Sequence, residues 1–401
     1  METFDITLSS DANYLRLQSK LLNYFLKDLS SDEFLGLELE HFVVRKGDQT
    51  FVSFYEEFGV EYILKQLKPH YLDSTFQDEY LLGLKRDNIE ISLEPGAQLE
   101  VSIGKLATIE QIAQEYDKFR SEIDPILNRL QYELVTLGYH PTAMAGDIPL
   151  LPKPRYSLMD ARFRALGGKG VQMMRGTCAT HVTIDYVDNQ DFSDKYRVAN
   201  FLVPVLAFMT DNCTVFEGVL AKPLTRVQIW KDTEIERSGF VPDCLQPDFD
   251  LNKYSQYLLN INPMFVLQDD KLIPTGLVAY EAYAASPMDD KDVEHLLSVV
   301  FNHVRLKYYI EIRIADSMPI EQTLKYMALV KGVFYNKDNI AILLKKMEGY
   351  TNQNAEDALV QLQQKGKDAT VYSKPIDYWV DLLYTLARKG LQNDGDLKFL
   401  I

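Results

Sequence analysis

The chain is 401 residues long, 46% hydrophobic and 25% charged, with 58 acidic against 42 basic residues and a formal charge of −16. That balance excludes a nucleic-acid or anionic-membrane binder, which needs a basic patch, while the length suffices for one large domain or two ordinary ones. Three cysteines, Cys178, Cys213 and Cys244, lie far apart with no CxxC pair, which excludes a disulfide framework and a cysteine zinc site and fits a reducing cytoplasm.

The N-terminal METFDITLSSDANYL is acidic and lacks the charged-then-apolar pattern of a secretory signal. Leu and Tyr at helical spacing predict a helix over 12–30, stopped by Ser30, Ser31 and Asp32. GLELEH (36–41) then alternates, Leu35, Leu37 and Leu39 against Gly36, Glu38 and Glu40, as a strand with one apolar and one acidic face. A helix is predicted over 51–67. IEISLEPGAQLEVSIG (89–104) reads as a hairpin, with Pro95 setting φ and Gly96 accepting positive φ in the turn. Its strands place Ile89, Ile91, Leu93, Leu99, Val101 and Ile103 on one face. Glu90, Ser92, Glu94, Gln98, Glu100 and Ser102 take the other.

Residues 108–138 predict one long amphipathic helix, or two broken near Pro125, ending at Gly138. A proline- and glycine-rich loop follows from Pro141 to Pro154. GGKG (167–170) lacks the Ser or Thr of a phosphate loop and precedes a strand instead of following one, so it is read as a flexible approach loop. THVTIDY (180–186) is a third alternating strand, with His181, Thr183 and Asp185 opposite Val182 and Ile184. Residues 194–210 predict a helix. Its apolar run FLVPVLAFM (201–209) is too short to span a bilayer.

LTRVQIWKDTEIERSG (224–239) reads as a strand with Arg226, Gln228 and Trp230 on one face. A guanidinium beside an indole could clamp a substrate carboxylate, or could simply be a surface arginine packed on tryptophan. Residues 289–308 predict a helix carrying His295 and His303 at no metal-binding spacing. YYIEIRI (308–314) is the fourth acidic strand, setting Glu311 and Arg313 against Ile310, Ile312 and Ile314. Helices follow over 319–335, 338–348 and most of 354–392.

A solvated sheet face usually mixes Lys, Thr and Glu. These faces carry Glu38, Glu40, Glu94, Glu100 and Glu311, with Glu90 and Asp185 as peripheral members, against Arg313 alone. Gathered in one sheet, such charges repel unless protons or cations neutralise them, and hard oxygen-seeking cations are the natural partner. No GxSxG, HExxH or Cys/His nucleophile pattern is present, so covalent hydrolysis has no support.

Together the motifs resemble the plant-type glutamate–cysteine ligase family, which includes bacterial enzymes. SLEPGAQLEVS (92–102) resembles its signature hairpin, and LPKPRYSLM (151–159) with GVQMMRGTCATHVTIDY (170–186) its PK-x-RY…MM-x-x-T segment. TRVQIWKDTEIERSG resembles its R-x-x-IW-x-D-T segment, EIRIADSMP (311–319) its E-x-R-x-x-D-x-x-P segment, and MALVKGVFYN (327–336) the helix after it. The resemblance implies an α+β, glutamine-synthetase-like fold: a curved antiparallel sheet covered by helices on one face. Its concave face would hold two or three magnesium ions, ATP and glutamate. It implies one catalytic domain over 1–401, with helices from about 338 onward as a sub-lobe. The implied partners are the small substrates glutamate, ATP and an amine such as cysteine, in a monomer or homodimer.

The implied activity is ATP-dependent ligation of glutamate's γ-carboxylate to cysteine through γ-glutamyl phosphate. The implied metal ligands are Glu38, Glu40, Glu94, Glu100, His181 and Glu311. Arg313 is implied to act on the transferring phosphoryl group and Arg226 on a substrate carboxylate. Arg155, Lys153, Trp230, Arg237 and Thr177 are implied to contact substrate or nucleotide. His181 and Thr183 stand where the family has Gln and Asn. Arg175–Gly176 replaces a Leu-Arg pair, displacing a cation by one residue and reversing its strand face. These departures bear on the amine acceptor. The competing readings are the same reaction with another acceptor, a catalytically silent nucleotide-binding relative, and a metal-dependent hydrolase.

Overall fold

The four acidic segments, five strands in all, meet in a single nine-stranded antiparallel sheet. The computed structural model describes residues 11–27, 29, 32–268 and 271–401. In chain order the strands are β1 (Leu35–Arg45), β2 (Asp73–Gln77), β3 (Tyr80–Arg86), β4 (Ile89–Leu93), β5 (Leu99–Leu106), β6 (Tyr132–Val135), β7 (Ala179–Ile184), β8 (Val304–Leu306) and β9 (Ile310–Asp316). Their spatial order is β8-β9-β7-β1-β5-β4-β3-β2, with β6 pairing the far end of β1. Neighbours far apart in sequence are thus adjacent in space, as a shared polar face requires.

Register does the gathering. Glu38 pairs with His181 on β7 and with Ser102 on β5, and Glu40 pairs with Glu100. Ser92 pairs with Glu100, Glu311 with Thr183, and Arg305 with Glu311. Because partners across a ladder share a face, all these polar side chains emerge on one side. The other side carries Leu37, Leu39, Ile91, Val101, Val182 and Ile312, each at most 1% exposed. Helices Ile109–Leu130, Asn189–Met209 and Ile320–Phe334 pack against strands of this sheet. The C-terminal helices, from Lys337 to Leu400, contribute to the same buried apolar cluster as the sheet.

Several sequence expectations shift. The first helix is Ala12–Phe25; its expected stop at Ser30 and Ser31 lies outside the described residues. Over 51–67 only Val60–Leu67 is helical. A Cβ on Gly59 would sit 2.1 Å from the Ser53 carbonyl, so the chain before it is folded back as a loop. The helix Ile109–Leu130 runs unbroken through Pro125 and ends at Gln131, in the left-handed region at φ 58, instead of at Gly138. Pro154 and Gly170 begin two helices that the sequence reading left as coil, Pro154–Leu166 and Gly170–Gly176. The 354–392 stretch is two helices, Asn352–Lys365 and Ile376–Gly390, split by a small hairpin.

Residues 225–231 form a helix, not a strand. The expected 289–308 helix stops at Ser298, and the chain then turns into β8. In the β4–β5 hairpin, Ala97 N–H closes onto the Glu94 carbonyl at 2.8 Å, and Ala97, not Gly96, has positive φ (65°). Gly96 is needed for close approach, since a Cβ there would lie 2.7 Å from the Arg175 carbonyl oxygen. No helix among the described residues is long and apolar enough to cross a membrane.

Two stability effects follow from this packing. Gly96→Ala drives a methyl into the Arg175 backbone between the two carboxylate-bearing strands; a loss of about 1–3 kcal/mol is expected, read from the urea midpoint. His140 is 2% exposed and accepts from the Thr142 and Ala143 amides at its Nδ1, and burial lowers its pKa to about 4. A folded pKa below the unfolded value of about 6.5 means stability present above pH 6.5 that is lost as pH falls toward 4. His140→Asn, measured by melting temperature across that window, is expected to flatten the acid slope by about 3 kcal/mol at most.

Candidate active site

A cavity of about 240 Å³ opens on the polar face of the sheet. Glu38, Glu40, Glu94 and Glu100 line it, together with His181, Arg155, Thr177, Arg226, Trp230 and Arg313. Ten of the thirteen residues marked by sequence therefore share one cavity. A second cavity of about 260 Å³ continues along the same face, floored by Gly36, Ser102 and Thr183 and walled by Phe34, Tyr308 and Tyr309. The two share Glu38.

One half of the first cavity holds uncompensated acid. Glu100 Oε1 accepts only the hydroxyls of Ser92 and Ser102, at 3.0 and 3.1 Å. Burial, then the charges of Glu38, Glu94 and Glu40, push its pKa well above the usual carboxylate range. Glu40 accepts the Ala179 amide at 2.8 Å, and burial followed by Glu94 raises it to about 8. Both shifts follow first from burial and then from the neighbouring carboxylates.

The other half is compensated. Glu311 is fully buried and does not line the cavity. Arg305 Nε lies 2.7 Å from it, Arg313 Nη1 2.8 Å and Lys307 Nζ 3.2 Å. Burial would raise its pKa, but Arg305, Lys307 and Arg313 outweigh this and hold it well below the usual range. Glu311 Oε2 accepts from Arg305 and Arg313, whereas Oε1, 3.2 Å from Lys307 Nζ, has no hydrogen-bond partner among the described residues. His181 Nδ1 is 2.9 Å from Glu38 Oε2, and burial with Arg313 lowers the ring to about 4, so the imidazole is neutral. Neutral at Nδ1–H, it donates to Glu38 and leaves Nε2 buried without a hydrogen-bond partner. For Glu38, burial and Glu311 raise the pKa, yet Lys307 and His181 bring it below the ordinary value.

The helix Thr225–Lys231 preserves the Arg226–Trp230 pairing by i,i+4 spacing and turns Gln228 away to donate to Asp232 at 2.9 Å. Arg226 donates to the carbonyls of Ile314 and Arg313 at 3.1 and 3.2 Å, leaving Nε unpartnered. Arg155 donates to Ser298 Oγ at 3.1 Å, and its Nε is likewise unpartnered. Thr177 Oγ1 donates to the Met173 carbonyl at 2.7 Å.

Two expected contact residues lie elsewhere. Arg237 is 1% exposed and bound to Glu234, the Val299 carbonyl and the Asn262 carbonyl; it ties loops together behind the site. Lys153 does not line the cavity, and its ammonium donates to the Leu93 carbonyl at 3.0 Å. Arg175, expected on a strand face, sits in a helix, paired with Asp160 at 2.6 Å. Strand parity therefore does not govern it.

Arg305 and Lys307 line the cavity and escaped the sequence reading, which placed them in a helix. The alternation Val304-Arg305-Leu306-Lys307 before two tyrosines was the available signal. The apolar side of the cavity comes from Tyr156, Met159, Met173, Met174 and Phe301, with the Trp230 ring tilted against Phe301 at 5.4 Å between centroids.

Among the described residues no three His, Cys, Asp or Glu side chains converge on one metal position. Magnesium, however, keeps several waters and is commonly held by one or two carboxylates plus substrate phosphates. The oxygen-only group of Glu40, Glu94 and Glu100 fits that mode, and the neighbouring corner adds His181 Nε2 and Glu311 Oε1, each buried without a hydrogen-bond partner among the described residues.

The comparisons agree with this architecture. The profile of glutamate-cysteine ligase family 2 (GCS2) matches residues 34–370. Glutamate–cysteine ligase B, chloroplastic, of Oryza sativa subsp. japonica is 26% identical over 332 residues, covering 80% of this chain and 67% of that protein. The chloroplastic glutamate–cysteine ligase of Arabidopsis thaliana is also 26% identical over 332 residues, covering 80% of this chain and 64% of that protein. The fold is shared with the crystal structure of glutamate–cysteine ligase from Francisella tularensis in complex with AMP (TM-score 0.51, 9% identity, 93% of this chain and 81% of that one). With the profile spanning most of the chain, from the first acidic strand to beyond the last, the chain belongs to glutamate-cysteine ligase family 2.

Proposed function

We propose that the chain is an ATP-dependent ligase that joins the γ-carboxylate of glutamate to the amine of cysteine, releasing ADP and phosphate. The observation that carries this is the polar sheet face itself. Buried, uncompensated carboxylates adjoin a cationic corner in one cavity, an arrangement suited to phosphoryl chemistry and costly for any protein that does not use it. A silent binding relative would gain stability by losing those charges.

Glu40, Glu94 and Glu100 would hold magnesium, which neutralises phosphate charge when bound. The second cavity, with Phe34, Tyr308 and Tyr309, is assigned to the nucleoside, so that its phosphates pass Glu38 toward Arg313. Arg226 and Arg155 offer their unpartnered Nε–H groups to substrate carboxylates. The γ-carboxylate oxygen attacks the terminal phosphorus, its bond to ADP breaks, and a γ-glutamyl phosphate results. The acceptor amine then attacks the acyl carbon, and phosphate leaves while Arg313 stabilises its charge. Met159, Met173, Trp230 and Phe301 form a wall for a compact apolar or thiol side chain.

The assembly proposed is a monomer or a homodimer. The three free cysteines suit a reducing compartment, cytoplasm or plastid.

Mass spectrometry of products from ATP, magnesium, glutamate and a mixed amino-acid pool is expected to show γ-glutamylcysteine. Phosphate release with other amines but not cysteine would replace the acceptor; water as the sole acceptor would make the chain a hydrolase. Glu100→Gln is expected to lower turnover by roughly a hundredfold or more. It is also expected to raise the melting temperature in EDTA, increasingly so as pH rises above the ordinary carboxylate range, because it removes the cost of keeping a buried carboxyl protonated.

A further inference from the structure

The carboxylates crowd one end of the polar face, and the other end is built for something flat and uncharged. Along β1 the face reads Glu40, Glu38, Gly36; along its partner β5 it reads Glu100, Ser102, Gly104, with Gly36 opposite Gly104. On β1, β5 and β7, from Glu38 outward, the floor of the second cavity therefore carries nothing larger than Thr183. Gly36 is required there, since a Cβ would lie 2.4 Å from Thr183 Oγ1. At the far end, just past β7, stands Asp185. Its main-chain N–H donates to the Tyr335 hydroxyl at 2.8 Å, and that hydroxyl donates to the Phe34 carbonyl, so one tyrosine fixes both the acid and the aromatic wall. Asp185 lines the cavity, yet its Oδ2 is buried with no hydrogen-bond partner among the described residues. Lys105 Nζ, on a half-exposed side chain, stands 3.8 Å away, beyond hydrogen-bond distance. A buried carboxylate oxygen without a donor is costly, and a ligand N–H supplies one.

We propose that this slot seats the base of the nucleotide, and that Asp185 selects the base by accepting the exocyclic amine of adenine. This rests on the nucleotide-dependent ligation proposed above and names the residue that reads its co-substrate. His181 pairs with Glu38 at the junction of the two cavities. Four residues of extended chain, about 13 Å, carry the same face from His181 to Asp185. A triphosphate and a ribose laid along the face span that length, which puts the base, not the sugar, beside Asp185. The uncharged floor and the walls of Phe34, Tyr308 and Tyr309 suit a flat aromatic ring system. A purine with a carbonyl in place of the amine sets oxygen against carboxylate and loses the bond.

The test is calorimetry of ATP and inosine triphosphate, with magnesium and without glutamate, on wild type and Asp185→Asn. Wild type is expected to bind ATP about tenfold or more tightly than inosine triphosphate, the worth of one hydrogen bond to a charged acceptor. Asparagine keeps the shape but brings an amide that donates to a purine carbonyl. Asp185→Asn is therefore expected to bring the two nucleotides within about twofold, chiefly by weakening ATP, and its retained binding of inosine triphosphate shows it to be folded. A preference for ATP that survives in Asp185→Asn would overturn the assignment. So would an equal loss of both nucleotides, which would put the carboxylate on the ribose or in the fold. Wild type that binds both nucleotides alike sinks the base reading and leaves the ligase reading standing. Wild type that binds neither sinks the ligase reading itself, and this inference falls with it.

Discussion

Like charges forced onto one face of a sheet are the constraint around which this protein is built. The ladder β9-β7-β1-β5-β4 brings acidic residues from positions 38 to 311 onto a single surface, where burial removes the water that would screen them. Two remedies appear side by side. At Glu311 the chain supplies its own cations from β8 and β9, so that corner is neutralised within the fold. At Glu40 and Glu100 it supplies little beyond an amide and two hydroxyls, and the imbalance persists. A fold retains such an imbalance where something from solution, a metal ion or a phosphate-bearing complex of one, completes it.

What permits the imbalance is the opposite side of the sheet. Leu37, Leu39, Ile91, Val101, Val182 and Ile312 are buried under helices, and the same apolar cluster continues through the C-terminal helices. Burial of about 25 cal/mol per Å² over so large a face offsets several kcal/mol of repulsion on the other. The rigidity that results also fixes register, and register decides which carboxylate stands opposite which.

The site's outer wall obeys a different logic. Met173, Met174 and Thr177 lie in or directly after a short helix, and Arg226 and Trp230 lie on another. Gly96 lets the hairpin between Glu94 and Glu100 approach the first of these helices at its Arg175 backbone. Arg162, Glu234 and Arg237 lock the loop beyond the second, with Arg162 Nη2 2.6 Å and Arg237 Nε 2.9 Å from Glu234. The family resemblance marked Arg237 because it belongs to this segment; its work is to hold the wall.

Alternation with period two is a local property, visible in six or seven residues. Sequence alone therefore determined the five acidic strands and their two faces, and so put Glu38, Glu40, Glu94, Glu100, His181 and Arg313 on the face that lines one cavity. Short segments without a clear period were beyond its reach. Residues 225–231 read as a strand but fold as a helix, and Arg305 and Lys307 fall in a predicted helix that stops at Ser298. Only tertiary structure decided which charges are spent and which are free. Glu40 and Glu311 look alike in sequence, two acids on alternating strands. One faces a cavity with little to balance it and the other is enclosed by three cations, because electrostatic energy depends on distances between side chains that the chain order leaves far apart.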